Sequence, residues 1–120
     1  MASASAPSRR ERFPESYAIF DRLVAEYSER PDVALGRMFA SEGLSVRGKV
    51  FAFVGFSGSL FAKLPEQRVG ELIEAGDASP AVMRGRPMRE WVTLDPSRPD
   101  TWDPIVAEAH AFVDSITPAS

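Results

Sequence analysis

His110 is the only histidine in the chain, and so the only side chain whose ordinary proton affinity lies near neutral pH. A histidine that works as a base or a metal ligand needs companions. There is no cysteine in the 120 residues, so thiolate nucleophiles, thiolate zinc ligands and disulfides are absent. With no second histidine, a multi-histidine metal site cannot form within one chain. His110 falls beside Val106 and Val113 but off the centre of their apolar stripe, as a surface or half-buried structural histidine would. Glu66, Glu71, Glu74 and Asp77 gather around another helical stretch. Paired carboxylates do acid–base work when one is buried, but these fall on the polar side of an amphipathic pattern and read as solvated charges. Ser41, Ser57 and Ser59 lie in or near turns, and Gly55-Phe56-Ser57-Gly58-Ser59 lacks the spacing and the following helix of a nucleophile elbow. Gly70 and Gly76 are too isolated for a phosphate loop. The sequence therefore assigns no catalytic, cofactor-binding or metal-ligating residue, and a non-enzymatic protein is expected.

The residues that can bind are basic and aromatic. Arg84, Arg86 and Arg89 cluster around Gly85 and Pro87, next to Met88 and Trp91. Arginines grouped on a loop can hold a carboxylate or phosphate in bidentate fashion; the plainer alternative is pairing with surface acids. Lys63, Arg37 and Met38 fall on strand patterns expected to lie nearby. Arg37 interrupts an apolar strand between Gly36 and Met38, so it either points to solvent or is held by a buried acid.

These residues need elements to hold them. Residues 1–12 are small, polar and charged, and read as a flexible tail without the apolar stretch of a secretory signal. Tyr17, Phe20, Leu23, Val24 and Tyr27 form a stripe at helical spacing, predicting a helix from Pro14 to Ser28 that Pro31 stops. Strands are predicted at Val33–Phe39, Leu44–Val46, Val50–Phe56 and Leu60–Leu64. Arg47-Gly48 and Ser57-Gly58 serve as tight turns between them. A helix from Pro65 to Ala75, a loop over Asp77–Arg86, a strand over Glu90–Leu94 and a helix from Thr101 to Ile116 complete the chain. The expectation is one α+β domain over residues 13–117, with an antiparallel sheet of about five strands in the order α-β-β-β-β-α-β-α.

Strict alternation in Val50–Phe56 sends Val50, Ala52 and Val54 one way and Phe51 and Phe53 the other. Leu60, Ala62 and Leu64 share a face opposite Phe61 and Lys63. Both faces of the middle strands are then apolar. Either helices cover both, or Phe51, Phe53 and Phe61 form a stripe that buries against a second copy of the chain.

A net charge of −3 counts against a general nucleic-acid binder while leaving a local basic patch open. No apolar run reaches the ~20 residues of a membrane-spanning helix, so no membrane partner is expected. A cytoplasmic location suits the lack of cysteine.

The runs Gly36-Arg37-Met38-Phe39, Gly43-Leu44, Phe51-Ala52-Phe53, Lys63-Leu64-Pro65 and Gly85-Arg86-Pro87-Met88 with Trp91-Val92 resemble, in this order, the N-terminal domain of the TfoX (Sxy) family of bacterial proteins. The resemblance covers roughly Phe13 to Val113. It departs at Ala40-Ser41-Glu42, where the family usually has glycine after Met-Phe. It implies a secretion-chaperone-like α+β scaffold associated with protein–protein contact and dimers, in a stand-alone member without the helical second domain of the competence regulators. The expectation is a regulatory or protein-interaction module, with a protein partner or homodimer. The alternatives are a nucleic-acid-associated regulator using Arg37, Lys63, Arg84, Arg86 and Arg89, and a binder of a small anionic ligand, or an enzyme, near Trp91.

Overall fold

The computed structural model describes residues 8–38, 41–55 and 57–118, with the side chains of Arg37, Met38 and Ser41 left aside. Four α-helices and six strands follow in the order α1 (Arg9–Arg12), α2 (Pro14–Tyr27), β1 (Val33–Met38), β2 (Ser41–Val46), β3 (Lys49–Val54), β4 (Leu60–Lys63), α3 (Glu66–Ala75), β5 (Ser79–Met83), β6 (Arg86–Leu94) and α4 (Trp102–Ile116). A short 3-10 turn at Pro99–Thr101 leads into α4. All strands pair antiparallel in one sheet, ordered β1-β2-β3-β4-β6-β5. The α+β class holds, with one more strand and one more helix than the sequence suggests. Phe39 and Phe56, expected at strand ends, lie outside the described residues.

The additional strand is β5, inside the stretch expected to be a loop. Met83 pairs with Arg86, and Arg84 and Gly85 between them take φ of 53° and 77°. Two successive positive φ values are the signature of a tight hairpin turn that matches strand twist. Arg47 and Gly48, with φ of 48° and 83°, turn β2 into β3 the same way. Pro80 and Pro87 speak against a strand here, since proline removes a ladder donor. Pro80 is accommodated because β5 is the sheet edge.

The additional helix, α1, replaces the last part of the expected tail. Ser8 accepts from the Glu11 backbone N–H and the Glu11 carboxylate accepts from the Ser8 N–H, closing a capping box. Arg9 donates to the Val54 carbonyl at 3.1 Å, and Arg10 pairs with Asp21 of α2 and Glu42 of β2. Four residues could not hold a helix alone; these tertiary bonds fix it.

Helices α2, α3 and α4 share one core with a single sheet face. Tyr17, Phe20, Leu23 and Tyr27 of α2, Val69 and Leu72 of α3, and Trp102, Ile105, Val106, Ala109 and Val113 of α4 pack with Leu44, Ala52, Val54, Leu60, Ala62, Val92 and Leu94. Arg68 grips Glu108 through Nε and Nη2 at 2.7 and 3.0 Å, joining α3 to α4. Arg47 donates to the Asp114 carboxylate and to the Asp114 and Thr117 carbonyls, tying the β2–β3 turn to the end of α4. Those carbonyls are among the acceptors a helix leaves unpaired at its C-terminus.

A β-bulge overturns the simple alternation in β3. Leu44 pairs with Ala52 but Ser45 pairs with Val50, so Phe51 is an extra residue without an opposite number. The frame slips by one. Phe51 enters the helix-side core between Tyr27 and His110, while Val50 joins Phe53 on the other face.

Candidate functional site

The face of the sheet away from the three long helices carries a second, smaller cluster of Phe53, Phe61 and Ala81, flanked by Val50, Met83, Met88 and Trp91. Phe53 and Phe61 stack with centroids 4.9 Å apart, and Trp91 meets Phe53 edge-on at 5.6 Å. Phe51, Phe53 and Phe61 therefore do not make one stripe, because the bulge sends Phe51 to the opposite side. Nor are the other two open to a partner: Phe53 is 5% and Phe61 6% exposed. Their cover comes from the β5–β6 hairpin. Pro80 pairs with Val92 and Val82 with Pro87, so Ala81 alone stands against Met88, Arg89, Glu90 and Trp91. A bulge of this size bends the hairpin, and Met83, Met88 and Trp91 close over the phenylalanines.

Beyond that bend, residues 82–87 form a basic arm. Arg84 occupies its turn, Arg86 follows, and Arg89 lies at its root; all three are exposed. None has an acidic partner within 4 Å among the described residues. Elsewhere Arg10, Arg22, Arg30, Arg47, Arg68 and Arg98 each have one, whereas Arg9 donates to the Val54 carbonyl, Arg12 lies over the Phe13 ring, and Lys49 has no acidic partner among the described residues. Among the described residues the cluster does not pair with surface acids. Val82 on the same arm, on the edge strand β5, is an apolar side chain 51% exposed. It alternates with Ala81 and Met83 of the outer cluster, and so points to the helix side of the sheet.

Lys63 does lie near the arm. It stands opposite Trp91, its Nζ sits 5.6 Å from the Trp91 ring and 3.7 Å from the Glu90 carboxylate. Arg37 and Met38 do not. They belong to β1, one edge of the sheet, with β2, β3 and β4 between them and β6. That is four strand spacings, ~19 Å. Their side chains lie outside the described residues.

The remaining candidates for chemistry are dispersed. His110 packs between the rings of Tyr27 and Phe51, with centroids 5.7 and 5.3 Å away. Its Nε2 is buried without a hydrogen-bond partner. Burial, helped by the nearby Arg30, holds its proton affinity below the ordinary histidine value. Glu71 pairs with Arg68 and Asp77 with Arg98, whereas Glu66 and Glu74 stand on the exposed side of α3 without an ion-pair partner among the described residues. No group of three or more histidines, aspartates or glutamates is placed to hold a metal ion among the described residues. No described helix is long and apolar enough to cross a membrane.

Sequence reasoning singled out the arm's arginines but missed the hairpin that presents them. The signal was available: Arg84-Gly85 repeats the Arg47-Gly48 dipeptide read correctly as a turn. A scan against protein-family models finds no match to this chain. A search of the curated proteins finds none either.

Proposed function

We propose that this chain is a non-enzymatic protein-interaction module of regulatory type, and that the β5–β6 arm is its contact element. One observation carries the reading. Arg84, Arg86 and Arg89, exposed and without an acidic partner among the described residues, lie on one hairpin of a chain whose net charge is −3. Three guanidiniums that forgo the available surface acids are free to pair with carboxylates on another protein, bidentately and with directional preference. The aromatic cluster beneath gives the arm a rigid base. We further read the chain as being of the TfoX N-terminal-domain type, with a secretion-chaperone-like scaffold. The glycine-anchored motifs support that reading, and protein contact is what such a scaffold is associated with.

The test is affinity capture with the tagged chain and with a variant carrying Arg84→Glu, Arg86→Glu and Arg89→Glu. The expected result is at least one acidic protein retained by the wild type and lost from the variant. Identical captured sets would end the proposal.

A second reading, contact with nucleic acid, draws on the same arginines. Removing their three positive charges from a net of −3 leaves −6 on the rest of the chain, a body that repels a phosphate backbone. It predicts a salt dependence of binding with a log–log slope of about −2.7 if all three contact phosphates. Absence of any shift of labelled duplex or single-stranded DNA at low salt removes it.

A further inference from the structure

We infer that the arm takes its partner as an added strand: an extended acidic segment of another protein pairs along the free edge of β5, with acidic side chains on either side of an apolar one. The inference rests on the reading of the arm as a protein-contact element. It names the mode of contact and the chemistry of the partner.

The backbone carries the first half. Strand β5 has one neighbour in the sheet, β6, so its other side is an open edge. Met83 and Arg86 flank the two-residue turn at Arg84 and Gly85. Residues that flank such a turn exchange both ladder hydrogen bonds. The next pair, Val82 with Pro87, is then of the non-hydrogen-bonded kind, where Pro87 has no donor to lose. Val82 therefore turns its N–H and its carbonyl away from β6, toward the free edge. An incoming strand needs one such donor and acceptor to register on. Pro80 offers no N–H, which confines pairing to the distal end of β5, beside the arginines.

The side chains carry the second half. Val82 is 51% exposed and points to the helix side of the sheet. A strand laid against β5 places the residue opposite Val82 on that same face, where an apolar side chain covers it. The residues before and after point to the other face. Met83 lies there with the outer cluster, and Arg86, its partner across the hairpin, shares that face. Arg86 is two strand spacings from the incoming strand, ~9.6 Å, a gap that a carboxylate side chain and an arginine side chain close from both ends. Arg84 stands in the turn where the edge ends. The edge thus selects an acidic–apolar–acidic alternation. Its charge also disfavours pairing with β5 of a second copy, which would bring the arginines of two arms together.

The experiment is an NMR amide titration of the isotope-labelled full chain at low salt. The probe is the acetylated, amidated peptide Ser-Glu-Val-Glu-Ser, whose side-chain pattern is the same in parallel and antiparallel pairing. Three comparisons accompany it: the peptide N-methylated at its valine, the peptide with lysine for both glutamates, and the protein variant Arg84→Glu with Arg86→Glu, its fold verified by circular dichroism. Saturable binding is expected, with the largest shifts at the Val82 and Arg84 amides. Each of the three changes is expected to weaken it at least about tenfold. No saturation up to about 10 mM peptide overturns the inference. Shifts centred on β1, the opposite edge, overturn it too, as does a lysine peptide that binds equally well. An N-methylated peptide that binds as tightly as the parent through the same arginines removes the added strand and leaves the interaction reading standing. Arm-dependent capture of a protein without peptide binding has the same meaning, whereas capture indifferent to the arm's charge reversal removes both.

Discussion

Replacing Phe51 with alanine tests the bulge that reorganises the middle of the sheet. Phe51 is fully buried, with the Tyr27 ring 6.0 Å and the His110 ring 5.3 Å from its own. Truncating a buried phenylalanine costs about 3–5 kcal/mol, from lost burial and the cavity left behind. A domain of this size has a total stability of about 5–15 kcal/mol, so the midpoint of thermal unfolding should fall by about 10–20 °C. The diagnostic readout is His110. Its proton affinity is held down chiefly by burial, and Phe51 forms one wall of that site. Phe51→Ala admits water there and should move the NMR titration of the single histidine up toward its ordinary value near 6.5. Phe53→Ala removes the stack on Phe61 and also destabilises, but it lies across the sheet and should leave the His110 titration unchanged. If Phe51→Ala unfolds the chain, Phe51→Leu gives the same comparison at a cost of about 1 kcal/mol. A histidine titration indifferent to Phe51, or shifted equally by Phe53→Ala, would refute the assignment of the two rings to opposite faces.

Gly58→Ala should cost about 2–4 kcal/mol in urea unfolding, because φ is 87° and the added Cβ would lie 2.5 Å from the Phe13 ring. Gly48→Ala has a similar φ in open space, so it should cost only about 1–2 kcal/mol; equal losses at the two sites would argue against the Phe13 contact. His110 binds its proton less readily in the folded than in the unfolded chain. Stability should therefore fall as pH drops through about 6.5, with the loss ending below the folded value, and His110→Leu should flatten that slope. Arg47→Met removes the donor to the Asp114 and Thr117 carbonyls, and amide exchange in the last turn of α4 should accelerate roughly tenfold, measured against unchanged exchange in α2.

Local chemistry made much of the fold legible from the chain alone. The apolar stripe of Tyr17, Phe20, Leu23 and Tyr27 needs no tertiary information to read as a helix, because one face at 3.6-residue spacing must be buried. Pro14, Pro65 and Pro31 mark boundaries for steric reasons contained in two or three residues. Arg47-Gly48 specifies a hairpin by the left-handed conformations its position demands. The arginines of the arm were legible as binding candidates by composition, and the unhelpful surroundings of His110 by the absence of cysteine and a second histidine.

Other features arise only when distant segments meet. Phe51 changes face because β2 pairs out of step with β3, and register between two strands is not written in either one. Residues 9–12 become a helix because Asp21, Glu42 and the Val54 carbonyl anchor their arginines. Pro80 and Pro87 conceal a hairpin in the sequence; edge position and an adjacent bulge make it permissible. Arg37 and Met38 share residue types with the arm yet belong to the opposite sheet edge, since strand order is a global property. The sequence by itself determined periodicity, turns and residue chemistry, each set by neighbours a few positions apart. Tertiary structure alone decided which cations find partners, and among the described residues it left Arg84, Arg86 and Arg89 without an acidic one because ion pairing depends on distances the whole fold sets.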